Sequence, residues 1–284
     1  METKKQTVEG KREGKKSRGI SAFIVILAAL VLAELFYYFI LGQGGNFEGA
    51  PAGSFIWGFE GGEKLHPHNL LGTMYKGGFV VPIILTLLLT VVILSVERFF
   101  ALSKAKGKGN LINFVYDVKS DLRKGNLTAA EALCAKQKGS VAAIVDAGLK
   151  KYKEMEGMNL PKEQKIEEIK AEIEEATALQ LPSMQQNLPI IATISTLGTL
   201  MGLFGTVLGM IKSFQALGTA GAVDSVALSV GISEALVNTA TGIATGALAI
   251  ISYSYFSGKI DNMTYAIDEM GFALTQTYAE THNS

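Results

Sequence analysis

The chain has 284 residues, of which 48% are hydrophobic and only 18% are charged. Its 26 Lys and Arg residues balance its 26 Asp and Glu residues, so the formal net charge is zero. This composition is too apolar for an ordinary soluble domain and too neutral for a nucleic-acid-binding protein. Cys134 is the single cysteine, which excludes an intrachain disulfide and a cysteine-ligated metal cluster.

Four apolar stretches predict transmembrane helices. Residues 20–41 and 79–96 are each long enough to cross a hydrocarbon core of roughly 30 Å at about 1.5 Å per residue. The stretches 188–217 and 223–256 are longer, so we expect these helices to continue into water on the cytoplasmic side. The first stretch exceeds the roughly 7–15 apolar residues of a signal peptide, which predicts an uncleaved anchor.

The basic residues that flank these stretches predict the orientation. Residues 1–19 contain seven Lys and Arg residues and residues 101–187 contain fourteen, whereas the loop 42–78 contains two. Cytoplasmic loops are enriched in Lys and Arg. Both termini and the long loop are therefore predicted to lie in the cytoplasm, and residues 42–78 outside.

The long loop contains a helical pattern between Pro161 and Pro182. Apolar residues recur on one face of this segment, at Ile166, Ile169, Ile173, Ala176 and either Leu179 or Gln180. The pattern predicts an amphipathic helix of a cytoplasmic bundle that continues into the third crossing. Packing against neighbouring helices is one interpretation of its apolar face, and a docking surface for a cytoplasmic partner is the other.

Small residues at helical spacing characterise the third and fourth stretches. Spaced glycines let helix backbones approach closely in lipid, where packing has to hold helices together. The residues concerned are Gly198, Gly202, Gly205, Gly209, Thr199 and Thr206 in the third stretch, and Gly242 and Gly246 in the fourth. They predict close contact between these two helices, although a generic packed bundle would account for the glycines alone.

A carboxylate, Glu234, lies in the fourth stretch, within the sequence GISEALVNTATG. An acid near a bilayer centre costs at least about 2.5–3.5 kcal/mol, so it normally faces a bundle interior or a water-filled path. Asn238, Thr241 and Thr245 follow it at four, seven and eleven residues and form one polar stripe, with Thr239 beside it. These residues predict a proton pathway, and a protonated Glu234 that hydrogen-bonds two helices together is the alternative.

An antiparallel pairing of the two stretches places Thr206 at a depth similar to that of Glu234. The two residues lie fourteen positions before and after Ala220 in the link between the helices. Thr199 lies seven residues before Thr206 on the same face. Thr199, Asn238, Thr241 and Thr245 are therefore further candidates for lining a pore.

The segments GLFGTVLGMIKSF and GISEALVNTATGIATGALAI resemble the core of the ExbB/TolQ branch of the MotA/TolQ/ExbB family of proton-channel subunits. The resemblance covers roughly 188–256 and, less distinctly, SVERFFAL at the end of the second crossing. It assigns the family's pore positions to Thr206, Glu234 and Thr239. It also implies a homo-oligomeric ring, typically a pentamer, in the bacterial inner membrane.

The same resemblance implies partners. The ring would enclose the transmembrane helices of an ExbD/TolR-like protein that bears an essential aspartate. Proton flow through the assembly would drive a TonB- or TolA-like protein that acts on the outer membrane, in processes such as nutrient uptake. No cofactor is expected.

The chain departs from the better-known family members, which have three crossings and begin outside. The additional stretch 20–41 introduces Glu34, for which we expect a role in helix contacts because no polar stripe accompanies it. His66 and His68 lie in the following loop, and no metal site is expected there because the pair has no third ligand.

Other classes of protein are disfavoured by the sequence. It contains no P-loop, nucleophile motif or HExxH metal site, so an enzyme is not expected. Inverted repeats and broken helices of the kind found in secondary transporters are not evident. A stator subunit for flagellar or gliding motility and a non-conducting membrane scaffold remain as alternatives to the ExbB/TolQ-like motor subunit.

The sequence thus predicts an all-α polytopic membrane protein with four transmembrane helices and a cytoplasmic helical bundle. Its predicted segments are a basic cytoplasmic head (1–19), an extra N-terminal transmembrane helix (20–41), a periplasmic loop (42–78), a transmembrane helix (79–100), a cytoplasmic helical region (101–187), a proton-channel core of two transmembrane helices (188–257) and a cytoplasmic C-terminal tail (258–284).

Overall fold

The computed structural model describes residues 22–51, 53–58, 61–62, 65–219 and 225–282. The predicted basic head and most of the link between the third and fourth crossings lie outside these residues. The described residues form helices and no β-strand, with two isolated β-bridges in the first loop. The α-helices are α1 (Ala22–Leu35), α2 (Leu70–Lys76), α3 (Val80–Lys106), α4 (Leu111–Arg123), α5 (Leu127–Gln137), α6 (Gly139–Glu156), α7 (Lys162–Gln185), α8 (Leu188–Thr219) and α9 (Ser225–Thr281).

Four helical segments of the described chain are long and apolar enough to cross a membrane, which confirms the predicted fold class. The first consists of α1 and a π-helical turn, Phe36–Leu41, that continues it. The longest helix, α9, has 57 residues. At the α-helical rise it spans about 85 Å, far more than a hydrocarbon core of roughly 30 Å. It therefore continues without interruption through the segment predicted as the C-terminal tail.

The membrane-length helices pack around α3. On one side, α1 contacts α3, and on the other α3 contacts the antiparallel pair α8 and α9. Val91 and Leu94 of α3 are fully buried in a cluster with Val25 of α1, Ile191 of α8 and Ala249 of α9. The additional N-terminal helix is thus attached to the other three through α3.

A second layer of helices, α4 to α7, packs on the distal half of α9. Its core includes Ile169 and Ile173 of α7, with Ile166 and Ala176 partly buried against it. The predicted apolar face of α7 is therefore confirmed as a packing surface. Of the two positions predicted for the end of this face, Gln180 is half-buried and Leu179 is 72% exposed, so the face continues to Gln180. Pro182 lies inside α7, which ends at Gln185 instead of at the proline.

A break at Gln186 and Asn187 interrupts the continuous helix expected from the amphipathic segment into the third crossing. Asn187 has a φ of +65°. The side chain of Arg98, which is only 1% exposed, donates to the carbonyl oxygens of Ser183 and Met184 at 3.3 Å each. Glu97 pairs with Arg98 and accepts a hydrogen bond from Asn187 Nδ2 at 3.3 Å. Because these contacts satisfy carbonyls that α7 leaves unpaired at its end, the break is a defined structural feature.

The loop between α1 and α3 folds back over one end of the helices. The side chain of Asn46, which is buried, donates to the carbonyl oxygens of Ile40 and Leu41 and accepts from Asn69 Nδ2. Asn69 in turn caps α2 by accepting from the N–H of Gly72 at 2.9 Å. This network fixes α2, and with it the glycine turn at 77–78 that begins α3.

Candidate functional site

The pair α8 and α9 is joined by a seam of glycines. A methyl group added at Gly242 would lie 2.6 Å from Cα of Gly202 and 2.7 Å from the carbonyl oxygen of Gly198. A methyl group at Gly209 would lie 2.7 Å from the carbonyl oxygen of Gly231. Neighbouring positions Gly205 and Gly246 are equally close to side chains of the opposite helix. The two backbones are therefore in contact along most of the seam, as small residues in lipid allow.

The register of this pair differs from the one expected. Gly198 contacts Gly246, and Gly202 contacts Gly242, so the hairpin is centred about two residues later in the chain than Ala220. Moving the centre of a helical hairpin by two residues shifts one helix by four residues relative to the other. Thr206 therefore lies opposite Thr239 and not level with Glu234. The separation in depth is four residues, about 6 Å at 1.5 Å per residue. The two residues thus lie at a similar depth, as expected, but with an offset of about one turn, because the centre of the hairpin is not at Ala220.

Glu234 is buried and forms an ion pair with Lys212. Lys212 Nζ lies 2.6 Å from Glu234 Oε1, and the side chains are 52% and 7% exposed, respectively. A methyl group at Gly78 would lie 2.6 Å from the same oxygen. The carboxylate therefore lies between α8 and the turn that begins α3. This position is nearer to the end of the helices that is predicted to face outside than to their middle.

Asn238 continues the polar stripe one turn further along α9. Its side chain is fully buried, and its Nδ2 donates to the carbonyl oxygen of Gly77 at 3.0 Å. Its Oδ1 has no hydrogen-bond partner among the residues that the structure describes. A buried acceptor of this kind is costly unless a donor such as water reaches it. The polar stripe thus faces the interior of the subunit, against α8 and the glycine turn.

Thr206 and Thr239 bring their hydroxyl groups into direct contact across the seam. Each hydroxyl also lies within reach of the carbonyl oxygen of Gly202, at 3.2 and 3.4 Å. Both side chains are half-buried. Since a hydroxyl group is both a donor and an acceptor, this contact can pass a hydrogen bond in either direction.

The other candidates are distributed over three environments. Thr245 is fully buried against Gly198, and its hydroxyl donates to the carbonyl oxygen of Thr241 at 2.8 Å. Thr241 is half-buried and donates within its own helix. Thr199 is exposed, and its hydroxyl donates to the carbonyl oxygen of Ser195 in its own helix at 3.3 Å. Thr199 is therefore not in the cluster that contains Glu234.

The positions outside the channel core are not part of this cluster. Glu34 is half-buried on α1 and makes no ion pair among the described residues. His66 and His68 are exposed in the first loop. Within the described part of the chain, no group of three or more His, Cys, Asp or Glu residues could hold a metal ion.

Lys212 is the residue of this site that the sequence analysis missed. It lies in the segment GMIKSF, where a lysine near a helix end is ordinarily explained by a side chain that extends to the membrane surface. The signal that could have identified it is the presence of one lysine in the third apolar stretch and one buried acid, Glu234, in the fourth. Charged residues in a membrane usually pair with one another.

The arrangement is suited to proton exchange. Glu234 supplies a protonatable carboxylate, and Lys212 supplies a counter-charge that is half exposed. One turn deeper lie the amide of Asn238, on the same face of α9 as Glu234, and beside it the contact between the hydroxyl groups of Thr206 and Thr239. No nucleophile with an adjacent base accompanies these groups among the described side chains.

Comparisons with known proteins place this site within a family. Residues 130–269 match the MotA/TolQ/ExbB proton channel family. The chain is 37% identical over 76 residues to the Tol-Pal system protein TolQ of Pseudomonas aeruginosa, a match covering 27% of this chain and 33% of the relative. It is 24% identical over 210 residues to the TolQ protein of Haemophilus influenzae, covering 68% and 86%. To the biopolymer transport protein ExbB of Helicobacter pylori it is 36% identical over 78 residues, covering 28% and 54%.

The matches to the Pseudomonas and Helicobacter proteins thus span a third and about half of the length of those relatives. The family match includes Lys212, Glu234 and all the other pore positions that the sequence indicated. The four apolar helices and these relatives together make this a multi-pass membrane protein. Through residues 130–269 the chain belongs to the MotA/TolQ/ExbB proton channel family, in its ExbB/TolQ branch.

Proposed function

We propose that this chain is a subunit of a motor driven by the proton-motive force, and that protons pass through it along the α8–α9 pair. The observation that supports this proposal is the buried Glu234 within the family's channel segment, paired with Lys212 and followed by Asn238 and the contact between Thr206 and Thr239. A buried acid is expensive in a membrane and is retained where it acts. The protein is accordingly proposed to be a channel subunit and not an enzyme.

The ion pair indicates how Glu234 could exchange its proton. While Glu234 is ionised, the Lys212 ammonium compensates its charge. When the carboxylate takes up a proton, the attraction between the two side chains is lost, and the half-exposed lysine is free to move away. Release of the proton toward the hydroxyl groups of Thr206 and Thr239 restores the pair. In this mechanism Lys212 prevents an uncompensated charge from remaining in the site.

The likeness to the family supports a proposal for the partners. We propose a homo-oligomeric ring, a pentamer by resemblance, around an ExbD/TolR-like single-crossing protein, with a TonB- or TolA-like protein as the driven component. Leu203 of α8 and Leu236 and Ile251 of α9 are between 59% and 66% exposed. Such faces would be covered by lipid, a neighbouring subunit or the partner. Transport across the outer membrane is the process proposed to be energised.

The proposed location is the bacterial inner membrane, with both termini in the cytoplasm. Cysteines introduced at Glu48 and Lys124, both exposed positions, test this orientation. In intact cells with a permeable outer membrane, a membrane-impermeant thiol reagent should label the cysteine at 48 and not the one at 124. Labelling in the reverse order would contradict the proposed orientation.

The native thiol can remain in place during this experiment. Cys134 is buried, and burial raises its pKa to about 12, so the reactive thiolate is scarce at neutral pH. After the inner membrane is permeabilised, the cysteine at 124 should react quickly and Cys134 slowly. This step shows that a lack of labelling at position 124 reflects the membrane and not the local structure.

Proton flux into liposomes tests the proposed function. The chain alone should form a stable oligomer that conducts protons poorly, because a path that stayed open would dissipate the gradient. Adding the ExbD/TolR-like protein of the same organism should raise the flux, and replacing that partner's intramembrane aspartate by asparagine should return the flux to the background. Each proton releases about 2.3 kcal/mol per 100 mV, so several must pass to do mechanical work.

Three outcomes would contradict parts of this proposal. High flux from the chain alone would indicate a self-contained channel. Flux that does not depend on the partner's aspartate would contradict a shared pathway. No flux under any condition, from a correctly assembled complex, would support the non-conducting scaffold. A stator for motility would conduct in the same way but would couple to a different driven protein.

A further inference from the structure

A cavity of about 920 Å³ lies where α3 and α9 leave the apolar part of the fold. Phe99 and Lys259 lie at the end of the cavity nearest to the predicted membrane. The end of α3, the start of α4 and the middle of α9 form its walls. Ile112 and Tyr116 of α4 contribute apolar surface to its rim and are more than 70% exposed. The volume is in the range of cavities that bind small organic molecules.

The charges in this cavity are only partly compensated. Lys119 forms an ion pair with Glu269, with 2.7 Å between Nζ and Oε1. Lys106 and Lys259 also line the cavity, and neither has an acidic partner within the described ranges. These two lysines therefore give the cavity uncompensated positive charge.

The end of the cavity at Lys259 has aromatic walls. The ammonium group of Lys259 lies 5.6 Å from the centre of the Phe99 ring and 4.7 Å from that of the Tyr255 ring. Both rings are about half exposed, and Ile251, one turn before Tyr255, is 66% exposed. Aromatic side chains are enriched at the boundary between a membrane and water, where an apolar ring meets a polar environment. Apolar surface thus leads directly from the cavity toward the predicted hydrocarbon region.

We propose that this cavity binds the headgroup of an anionic phospholipid. The phosphate and its negative charge would lie between Lys106 and Lys259, and the acyl chains would extend past Phe99 and Tyr255 into the membrane. In the orientation proposed above, the site faces the cytoplasmic leaflet. Basic pockets between transmembrane helices at this boundary are suited to anionic headgroups, and the aromatic walls favour a lipid over a free phosphate ion.

Native mass spectrometry of the purified protein, titrated with phosphatidylglycerol or phosphatidylcholine, tests this site. The protein should retain phosphatidylglycerol in preference to phosphatidylcholine. Each lysine should contribute about fivefold to the affinity for an anionic lipid, so the double variant Lys106→Gln/Lys259→Gln should bind phosphatidylglycerol about 25-fold more weakly. Inorganic phosphate at millimolar concentration should not displace the lipid, and effective displacement would indicate a phosphate site instead.

The matched control is Lys104→Gln/Lys108→Gln. It removes two positive charges, one from the last turn of α3 and one from two residues beyond its end, and both side chains are exposed and do not line the cavity. The control should bind as the wild type does. An equal loss in both double variants, or no preference for phosphatidylglycerol in the wild type, would overturn the proposal.

A second measurement does not depend on the folding of any variant. A photoreactive phosphatidylglycerol with its reactive group near the phosphate should crosslink to the wild-type protein. The crosslinked peptides should come from 99–119 and 259–269, the segments that line the cavity. Crosslinks that fall elsewhere and avoid both segments would contradict the assignment.

Discussion

Replacing Glu234 by alanine should abolish proton flux while leaving the subunit folded and assembled. The substitution removes the protonatable group of the site and shortens a side chain that is buried between Lys212 and Gly78. Flux through the complex with the ExbD/TolR-like partner should fall to the background of empty liposomes. Glu234→Gln, which keeps the shape and loses the exchangeable charge, should give the same result.

The matched control for this prediction is Glu34→Ala. It removes the other predicted intramembrane acid, which is half-buried on α1 and belongs to no polar cluster. This variant should conduct at nearly the wild-type rate. Size-exclusion chromatography should show the same oligomer for all three variants. An assembled Glu234→Ala complex with normal flux would exclude Glu234 from the proton pathway and would favour its alternative role as a hydrogen-bonding group between helices.

The fold was predictable because its signals are local. A run of apolar residues determines a transmembrane helix without reference to the rest of the chain, since its backbone groups are satisfied internally. The apolar face of α7 was likewise readable from the spacing of Ile169 and Ile173, which are both buried in the bundle. The end of α7 was not, because its termination depends on Arg98, a residue of a different helix.

The composition of the site was also predictable, but its geometry was not. The sequence identifies Glu234, Asn238 and the threonines as polar groups in an apolar segment. It does not contain the pairing register, which the close approach of Gly202 and Gly242 determines. A shift of two residues in the centre of the hairpin was enough to place Thr206 opposite Thr239.

The contacts of the site that come from outside the hairpin were the hardest to foresee. The carbonyl oxygen of Gly77 accepts from Asn238, which is 161 residues away in the chain. Gly78 adjoins the carboxylate of Glu234 and has a φ of +74°, a conformation that suits glycine. The first loop therefore contributes to the site through its backbone, and backbone contacts leave no pattern of side chains in the sequence.

The second large effect is expected from the glycine seam, where Gly242→Ala should destabilise the protein. A methyl group at this position would lie 2.6 Å from Cα of Gly202 and 2.7 Å from the carbonyl oxygen of Gly198. Because both contacts are to backbone atoms, the helices must move apart. Overpacking of this kind costs about 1–3 kcal/mol, which should lower the apparent melting temperature in detergent by several degrees.

Gly258→Ala is the matched control for this prediction, since Gly258 lies on the same helix and a methyl group there would have no neighbour within 4 Å in the described part of the chain. Alanine favours a helix over glycine by about 1 kcal/mol, so this variant should melt at the wild-type temperature or slightly above it.

Separation of α8 from α9 in Gly242→Ala should also part the hydroxyl groups of Thr206 and Thr239, and proton flux should fall along with stability. Equal melting temperatures for Gly242→Ala and Gly258→Ala would show that the backbones do not approach as closely as the structure indicates. A destabilised Gly242→Ala with unchanged flux would show instead that the contact between the two threonines is not part of the proton pathway.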